Sequence, residues 1–492
     1  MKKLITTVIS LVLIAALALL AGCGAIVPAA AGTAAPTADA GTAPTAEKAA
    51  ATPLSTDTSA ASGGYDTAVS NRDASGEYDA SAAVTLSPDG DLTVTEAGVY
   101  LLSGTYEGRT LVVDAGEDAK VQLVLAGATI TNDGGPAIYV RSADKVFLTA
   151  AAGTENLISD GADYTYTDGD TEADAAVFSR DDLTLNGAGK LTIIGSSKHA
   201  VVSKDDLAVT AENLTVIAKN VGLNGKDSVR ISNAGVTITA GTDGVRADNA
   251  EDADRGYVSV EASVLTVTAG NDGIQAETAF LADDSAVTVT AGGGSGAGGG
   301  SGSESRKGIK AGLSVQIDGG TFRIDAADDA IHTNGSVTIT GGEFTLASGD
   351  DAIHADEKVE ISGGSLAIAA AEGIEGTYVL ISGGEIVIQA TDDGINAARK
   401  SAALTPTVEI TGGTVTITMG PGDTDGIDSN GNIIISGGTV SVTGNSTFDY
   451  DGTASFTGGT VYVNGQQVTT LPNQMMGGGM GGMGGHGGRP RF

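Results

Sequence analysis

Aliphatic residues two apart, with a polar residue between them, recur along most of the chain. One series reads Val315-Gln316-Ile317, Val337-Thr338-Ile339, Val359-Glu360-Ile361, Val379-Leu380-Ile381, Val408-Glu409-Ile410 and Ile433-Ile434-Ile435. A second follows a Gly-Gly pair, as in Gly341-Gly342-Glu343-Phe344-Thr345-Leu346 and Gly437-Gly438-Thr439-Val440-Ser441-Val442. A period of two carried by Val and Ile predicts strands with one buried face. Glycines at fixed offsets predict corners that need positive φ or a close approach of two chains.

A third series is a four-residue motif: polar, Gly or Ala, aliphatic, polar. It starts at His199, Val221, Asp243, Asp272, Lys307, Asp329, Asp351, Glu372, Asp393 and Asp425. The step is 21 or 22 residues, apart from three longer steps of 29, 35 and 32. Three short strands and three corners in about 22 residues make one turn of a solenoid, which buries its inward side chains only against the turns above and below. Helical repeats would need runs of ten or more residues at a 3.6 period, and the chain has none. The predicted fold is all-β, a single-stranded parallel β-helix over residues 76–470, of roughly fifteen turns and about 70 Å. The chirality rule for parallel crossovers makes it right-handed.

The ends read differently. Met1-Lys2-Lys3 and the apolar run Leu4–Leu20 lead into Leu20-Ala21-Gly22-Cys23. This is the pattern of a lipoprotein signal peptide over 1–22 with Cys23 lipidated, or else of an ordinary secretory signal with a chance cysteine. Either way the chain is expected outside the cytoplasm, and with the lipid it is anchored to the bacterial membrane or cell surface. Residues 23–75, rich in Ala, Thr and Pro, are expected to be a disordered tether. Residues 471–492, rich in Gly and Met with the single His486, are expected to be a disordered tail.

Composition narrows the partners. There are 26 basic and 61 acidic residues, a net charge of −35. A polyanion such as nucleic acid is therefore excluded as a partner. One cysteine excludes a disulfide scaffold and a thiolate zinc site. The chain has no Trp, so any stacking on sugars falls to Tyr164, Tyr166, Tyr257, Tyr378, Phe448 or Tyr450. The three long steps place inserted loops near 248–255, 292–304 and 397–406, all beside the motif strand. Insertions gathered on one face can mark a working face, or simply exposed corners that tolerate them.

Stacking the turns aligns the first motif position, so Asp243, Asp272, Lys307, Asp329, Asp351, Glu372, Asp393 and Asp425 form one column. Asp328, Asp350 and Asp392 precede it, and Lys310, His332, His354, Glu375, Asn396 and Asp428 follow. Like charges about 5 Å apart repel. The repulsion is relieved if some carboxyls stay protonated or if divalent cations bridge the turns. Oxygen-only ligands favour Ca²⁺ as the cofactor, with Asp328-Asp329, Asp350-Asp351 and Asp392-Asp393 as the leading pairs. A solubilising acidic face is the alternative. His332 and His354 stand on consecutive turns, either as a transition-metal site or as stacked surface imidazoles. Lys307 and Lys310 compensate their acidic neighbours or act as a base.

The lipobox, the tether, the D-D-[AG]-I-[HN] and S/T-G-G-x-[FVIL] repeats and the Gly/Met tail together resemble a bacterial family, the carbohydrate-binding domain-containing proteins with a polysaccharide-lyase-like right-handed β-helix. The resemblance covers about residues 80–465. It implies calcium on the helix face, carried by Asp328, Asp329, Asp350, Asp351, Asp392, Asp393 and Asp425. It also implies binding of plant cell-wall polysaccharide, cellulose and acidic pectin-type sugars. The motif is eroded at Lys307 and absent at Val221. The leading expectation is a monomeric, surface-anchored, calcium-dependent glycan binder without catalysis. A calcium-dependent pectate lyase using Lys307, Lys310 or Arg246 as base is the runner-up, and a structural adhesin rod is a third reading.

Overall fold

The computed structural model describes residues 64–165, 172–297, 304–421 and 424–473. The chain divides after Thr58. All of the first unit, with the expected signal peptide and Cys23, lies outside the described residues, as do most of the expected tether and nearly all of the expected tail.

In the second unit the described strands number 43 and join one sheet. Most pair in parallel with the strand three places on, and several with the strand two places on. Leu223–Gly225 pairs with Val245–Ala247, Ser228–Ser232 with Tyr257–Glu261, and Gly235–Ala240 with Val264–Ala269. The fold is thus a parallel β-solenoid with three strands per turn, as the 22-residue period predicts.

The registers put equivalent residues in columns. Leu223, Val245, Ile274, Ile309, Ile331, Ile353, Ile374, Ile395, Ile427 and Phe448 succeed one another across paired strands. All are fully buried. Each inward side chain contributes about 1.5–3 kcal/mol of burial, which it gains only because the neighbouring turns exist. Phe448, a candidate sugar platform in the sequence, therefore belongs to the core.

The small second motif residue has a steric cause. A Cβ on Gly273 would fall 2.2 Å from Val289 Cγ1 and 2.6 Å from the Gly308 carbonyl. Ala330 and Ala352 occupy the same position in their turns, fully buried.

The C-terminal end of the body finishes in a hairpin, and a strap crosses one side of it. The last parallel strand, Thr460–Val463, pairs antiparallel with the final described strand, Gln466–Val468. Along one side, residues 65–78 run across successive turns on the outside of the strands that follow the motif, from Tyr257 back to Gln122. This departs from the expectation of a tether through residue 75. Asn71–Ser75 is a short helix with Ser70 as N-cap, and Ser70 and Asp73 form a reciprocal capping box. Asp73 is buried, 2.9 Å from Lys145 Nζ and 2.5 Å from the Thr184 hydroxyl. Tyr65 rests on Tyr257 with ring centroids 5.0 Å apart, so Tyr257 is covered as well.

Candidate functional site

The motif strand divides its residues between two faces. Its aliphatic residue points into the core. Its last polar residue points the other way, and that column reads Asn224, Arg246, Gln275, Lys310, His332, His354, Glu375, Asn396, Asp428 and Asp449 over successive turns. The three insertions flank this strand. Two leave its C-terminal end, after Ala247 and Ala397, and one precedes Ile309.

The first-position acids align as the period predicts, and most are sunk below the surface. Asp243, Asp272, Asp329 and Asp351 are buried. Four acids of the column accept a backbone N–H from the next turn: Asp243 from Asp272 (3.3 Å), Asp272 from Lys307 (2.8 Å), Asp329 from Asp351 (3.2 Å) and Asp393 from Asp425 (3.2 Å). At this corner a carboxylate oxygen takes the place of a strand carbonyl in the turn-to-turn ladder. The repetition of Asp thus has a structural cause in addition to any ligand.

Over the central turns the acids have built-in cations. Arg246 lies 3.5 Å from Asp243, and Lys310 lies 3.4 Å from Asp272. Lys307 reaches Asp329 at 2.6 Å and Asp328 at 3.1 Å. His332 Nδ1 is 2.7 Å from Asp329. His354 Nδ1 is 2.6 Å from Asp351 and 2.9 Å from Glu375. Lys400, carried by the 397–406 insertion, is 2.9 Å from Glu375. Burial would raise Asp329, but its hydrogen bonds to His332 and Lys307 bring it down to about 2. Burial would lower Lys307, yet Asp329 and Asp328 hold it up. Burial would likewise lower His354, but Asp351 and Glu375 raise it to about 10.

Even so, burial and the charges of Asp329, Glu375 and Glu372 push Asp351 up to about 8 against its hydrogen bond with His354. The C-terminal turns have no such cations among the described ion pairs. Burial, then the charges of Asp428, Glu372 and Asp392, push Asp393 up to about 7. Burial, then Asp449, Asp425 and Asp451, push Asp428 up to about 6. Glu372 is raised by burial against a hydrogen bond from Asn396 at 3.1 Å. Carboxylates crowded enough to hold protons near neutral pH suit a hard, oxygen-seeking dication. The paired Asp328, Asp329 and Asp350 bring ligand atoms within 4.8 Å of one another, with Lys307 already inserted among them.

Between the turns at Val221 and Lys307 the same face opens into a cleft of about 340 Å³ lined by His199, Asn220, Arg246, Asn271, Gln275, Glu304, Ser305 and Lys310, among others. Amides, hydroxyls and both signs of charge suit a polyhydroxylated ligand. Asn224 Oδ1 and Arg246 Nε beside it are buried and have no hydrogen-bond partner.

The sequence did not single out Lys400, His199, Gln275 as a cleft residue, or Asp449. Asp449 was legible: Ser446-Thr447-Phe448-Asp449 begins 21 residues after Asp425, and Asp428 pairs with Asp449. Lys400 had no sequence signal, because its loop has no fixed place in the repeat. Tyr166 lies outside the described residues, and Tyr378 donates a hydrogen bond to Glu409.

Comparison with known proteins gives the family. A curated relative from Acetivibrio thermocellus, described as a carbohydrate-binding domain-containing protein, is 36% identical over 129 residues, 26% of this chain and 45% of its own. The chain thus matches less than half the length of that relative. A solved structure of a polysaccharide lyase-like protein from C. thermocellum, a gadolinium derivative, is 28% identical and aligns with 55% of this chain and 86% of its own, at a TM-score of 0.36. The profile of the carbohydrate-binding domain-containing proteins matches residues 88–352 and 350–470, most of the chain and nearly the whole solenoid, and the chain belongs to that family.

Proposed function

We propose that this chain binds plant cell-wall polysaccharide, cellulose or acidic pectin-type sugars, in a calcium-dependent way and without catalysis, as a right-handed β-helix held at the cell surface by a lipid on Cys23. The observation that carries the reading is the unbroken outward column from Asn224 to Asp449. One strand per turn offers a polar group to a ligand lying along the solenoid, and the cleft around Arg246, Gln275 and Lys310 lies on that line. Family membership supports the glycan. The crowded acids at Asp393, Asp425, Asp428 and Asp449 favour calcium there over the central turns, where Lys307, His332, His354 and Lys400 already pair with Asp329, Asp351 and Glu375. A Ca²⁺ on those acids would invert the local sign and allow an acidic sugar to approach.

A lyase reading is weaker on one specific point. Lys307 is pinned between Asp328 and Asp329, which keep it protonated, and a base must give up that proton.

The test is retention of the whole chain on cellulose and on polygalacturonate, with and without a calcium chelator. Retention is expected to fall several-fold with chelator and in an Arg246→Ala/Gln275→Ala variant. Retention indifferent to the chelator removes calcium from the reading, and failure to bind either polymer removes the glycan class. Growth of unsaturated product from polygalacturonate, lost in Lys307→Ala, would establish the lyase instead.

A further inference from the structure

Of the ten residues in the outward column, only two are imidazoles, and they are neighbours. His332 pairs in register with His354, their rings stacked with centroids 4.7 Å apart and planes 21° apart. Both turn Nδ1 inward, toward the acid column. His332 Nδ1 meets Asp329 at 2.7 Å, and His354 Nδ1 meets Asp351 at 2.6 Å and Glu375 at 2.9 Å. The ligand atoms of Asp329, His332 and His354 lie within 4.8 Å of one another, and so do those of Asp351, His354 and Glu375. Asp329, Asp351, His354 and Glu375 are 2%, 5%, 8% and 5% exposed.

This is a different donor set from the oxygen cluster nearer the C-terminus. Calcium has no use for imidazole nitrogen, whereas zinc and its neighbours take imidazole and carboxylate together. We propose that the cluster Asp329, His332, Asp351, His354 and Glu375 is a mixed imidazole–carboxylate site for a transition-metal dication of the zinc class. The ion sits between consecutive turns, bound through imidazole nitrogen and carboxylate oxygen. A tetrahedral zinc with bonds of about 2.0–2.1 Å spaces its ligand atoms about 3.3 Å apart. The N–O separations of 2.6 and 2.9 Å at His354 would have to open by about 0.7 and 0.4 Å to reach that. Lys307 on Asp329 and Lys400 on Glu375 contact the same carboxylate oxygens that face the imidazoles, so in the ion's absence they are the cations that balance those charges and compete with it. The ion takes the place of the proton that His354 shares with its two carboxylates, and it ties three turns together where the sheet alone ties pairs.

The site is tested with Co²⁺ as a spectroscopic stand-in for zinc. The whole chain is used, carrying His486→Ala so that the Met/His tail contributes no imidazole. Titration is expected to give visible ligand-field bands that saturate at one equivalent, disappear on adding Zn²⁺ and persist in 1 mM Ca²⁺. His332→Ala and His354→Gln should each weaken cobalt binding at least tenfold. Lys400→Met, which keeps every ligand and removes a competing cation, should bind at least as tightly as the parent. The variants are checked for fold by circular dichroism. The proposal is overturned if the parent shows no saturable uptake, if the bands survive in the folded His332→Ala/His354→Gln double variant, or if Ca²⁺ displaces the cobalt.

Discussion

Positive φ appears at one corner of nearly every turn, and its cost depends on which residue sits there. In the later turns it falls on the second glycine of the Gly-Gly pair: Gly320, Gly342, Gly364, Gly384, Gly413, Gly438 and Gly459, at φ 75–105°. In three earlier turns it falls one position sooner, on Asn233, Ala262 and Asp284. Asn and Asp tolerate that region, but Ala262 at φ 46° has no side-chain hydrogen bond to offset it. A left-handed L-residue costs about 1–2 kcal/mol, and glycine gives back about 0.5–1 in backbone entropy. Ala262→Gly should therefore stabilise the chain by about 0.5 kcal/mol. Gly364→Ala should cost about 1–3 kcal/mol, since its Cβ would also come within 2.9 Å of the Gly342 carbonyl. Midpoints of denaturant unfolding give both signs, and an Ala262→Gly variant less stable than the parent would contradict the strain argument. The Asp column is legible at the same scale from its period. Its burial, and its use of carboxylate oxygens as ladder acceptors, are not, because a repeat shows that residues stack without showing how deep they lie.

The strand elements follow directly from alternation and the Gly-Gly corners, and the insertions fall where the long steps place them. The element that composition hides is the strap at 65–78. Its Ala, Ser and Thr look like linker, and it docks through polar groups that a search for apolar runs does not find. The capping box Ser70-Asn71-Arg72-Asp73 was the readable clue. Asp73 accepts from Ser70 and Thr184 and faces Lys145, so its carboxyl is held at about 2 against the pull of burial. Asp73→Ala leaves Lys145 with only the longer ion pair to Asp182 at 3.7 Å and removes the acceptor of Ser70 and Thr184, and should cost about 3 kcal/mol of docking. The expected readout is fast proteolytic cutting near residues 66–78 while the solenoid stays resistant. Cutting no faster than in the parent would mean that Asp73 does not hold the strap.

For the molecule as a whole, the acid-rich face couples stability to pH. Asp351 stands at about 8, Asp393 at about 7 and Asp428 at about 6, all against an ordinary 3.8 and all raised first by burial and then by neighbouring acids. Between about pH 4 and 8 the folded chain keeps protons that the unfolded chain has released, so stability falls as pH rises through that window. His354, raised to about 10, adds stability that is present below 6.5 and lost as pH climbs toward 10. Asp73 and Asp329, lowered to about 2, lose their contribution only as pH falls from 3.8 through 2, outside this range. In chelator the thermal midpoint should be higher at pH 5 than at pH 7.5, Asp393→Asn should flatten the difference, and Ca²⁺ should raise the midpoint more at pH 7.5 than at pH 5. A midpoint in chelator that climbs from pH 5 to 7.5 would sink the account. The amino-acid sequence determines the strands, the three-per-turn stack and the alignment of the acids, because all three are consequences of one repeating period. Tertiary structure alone decides which acids are neutralised. The cations come from the last motif position and from loops with no place in the repeat, such as Lys400, and charge pairing depends on distance in space, which the period does not encode.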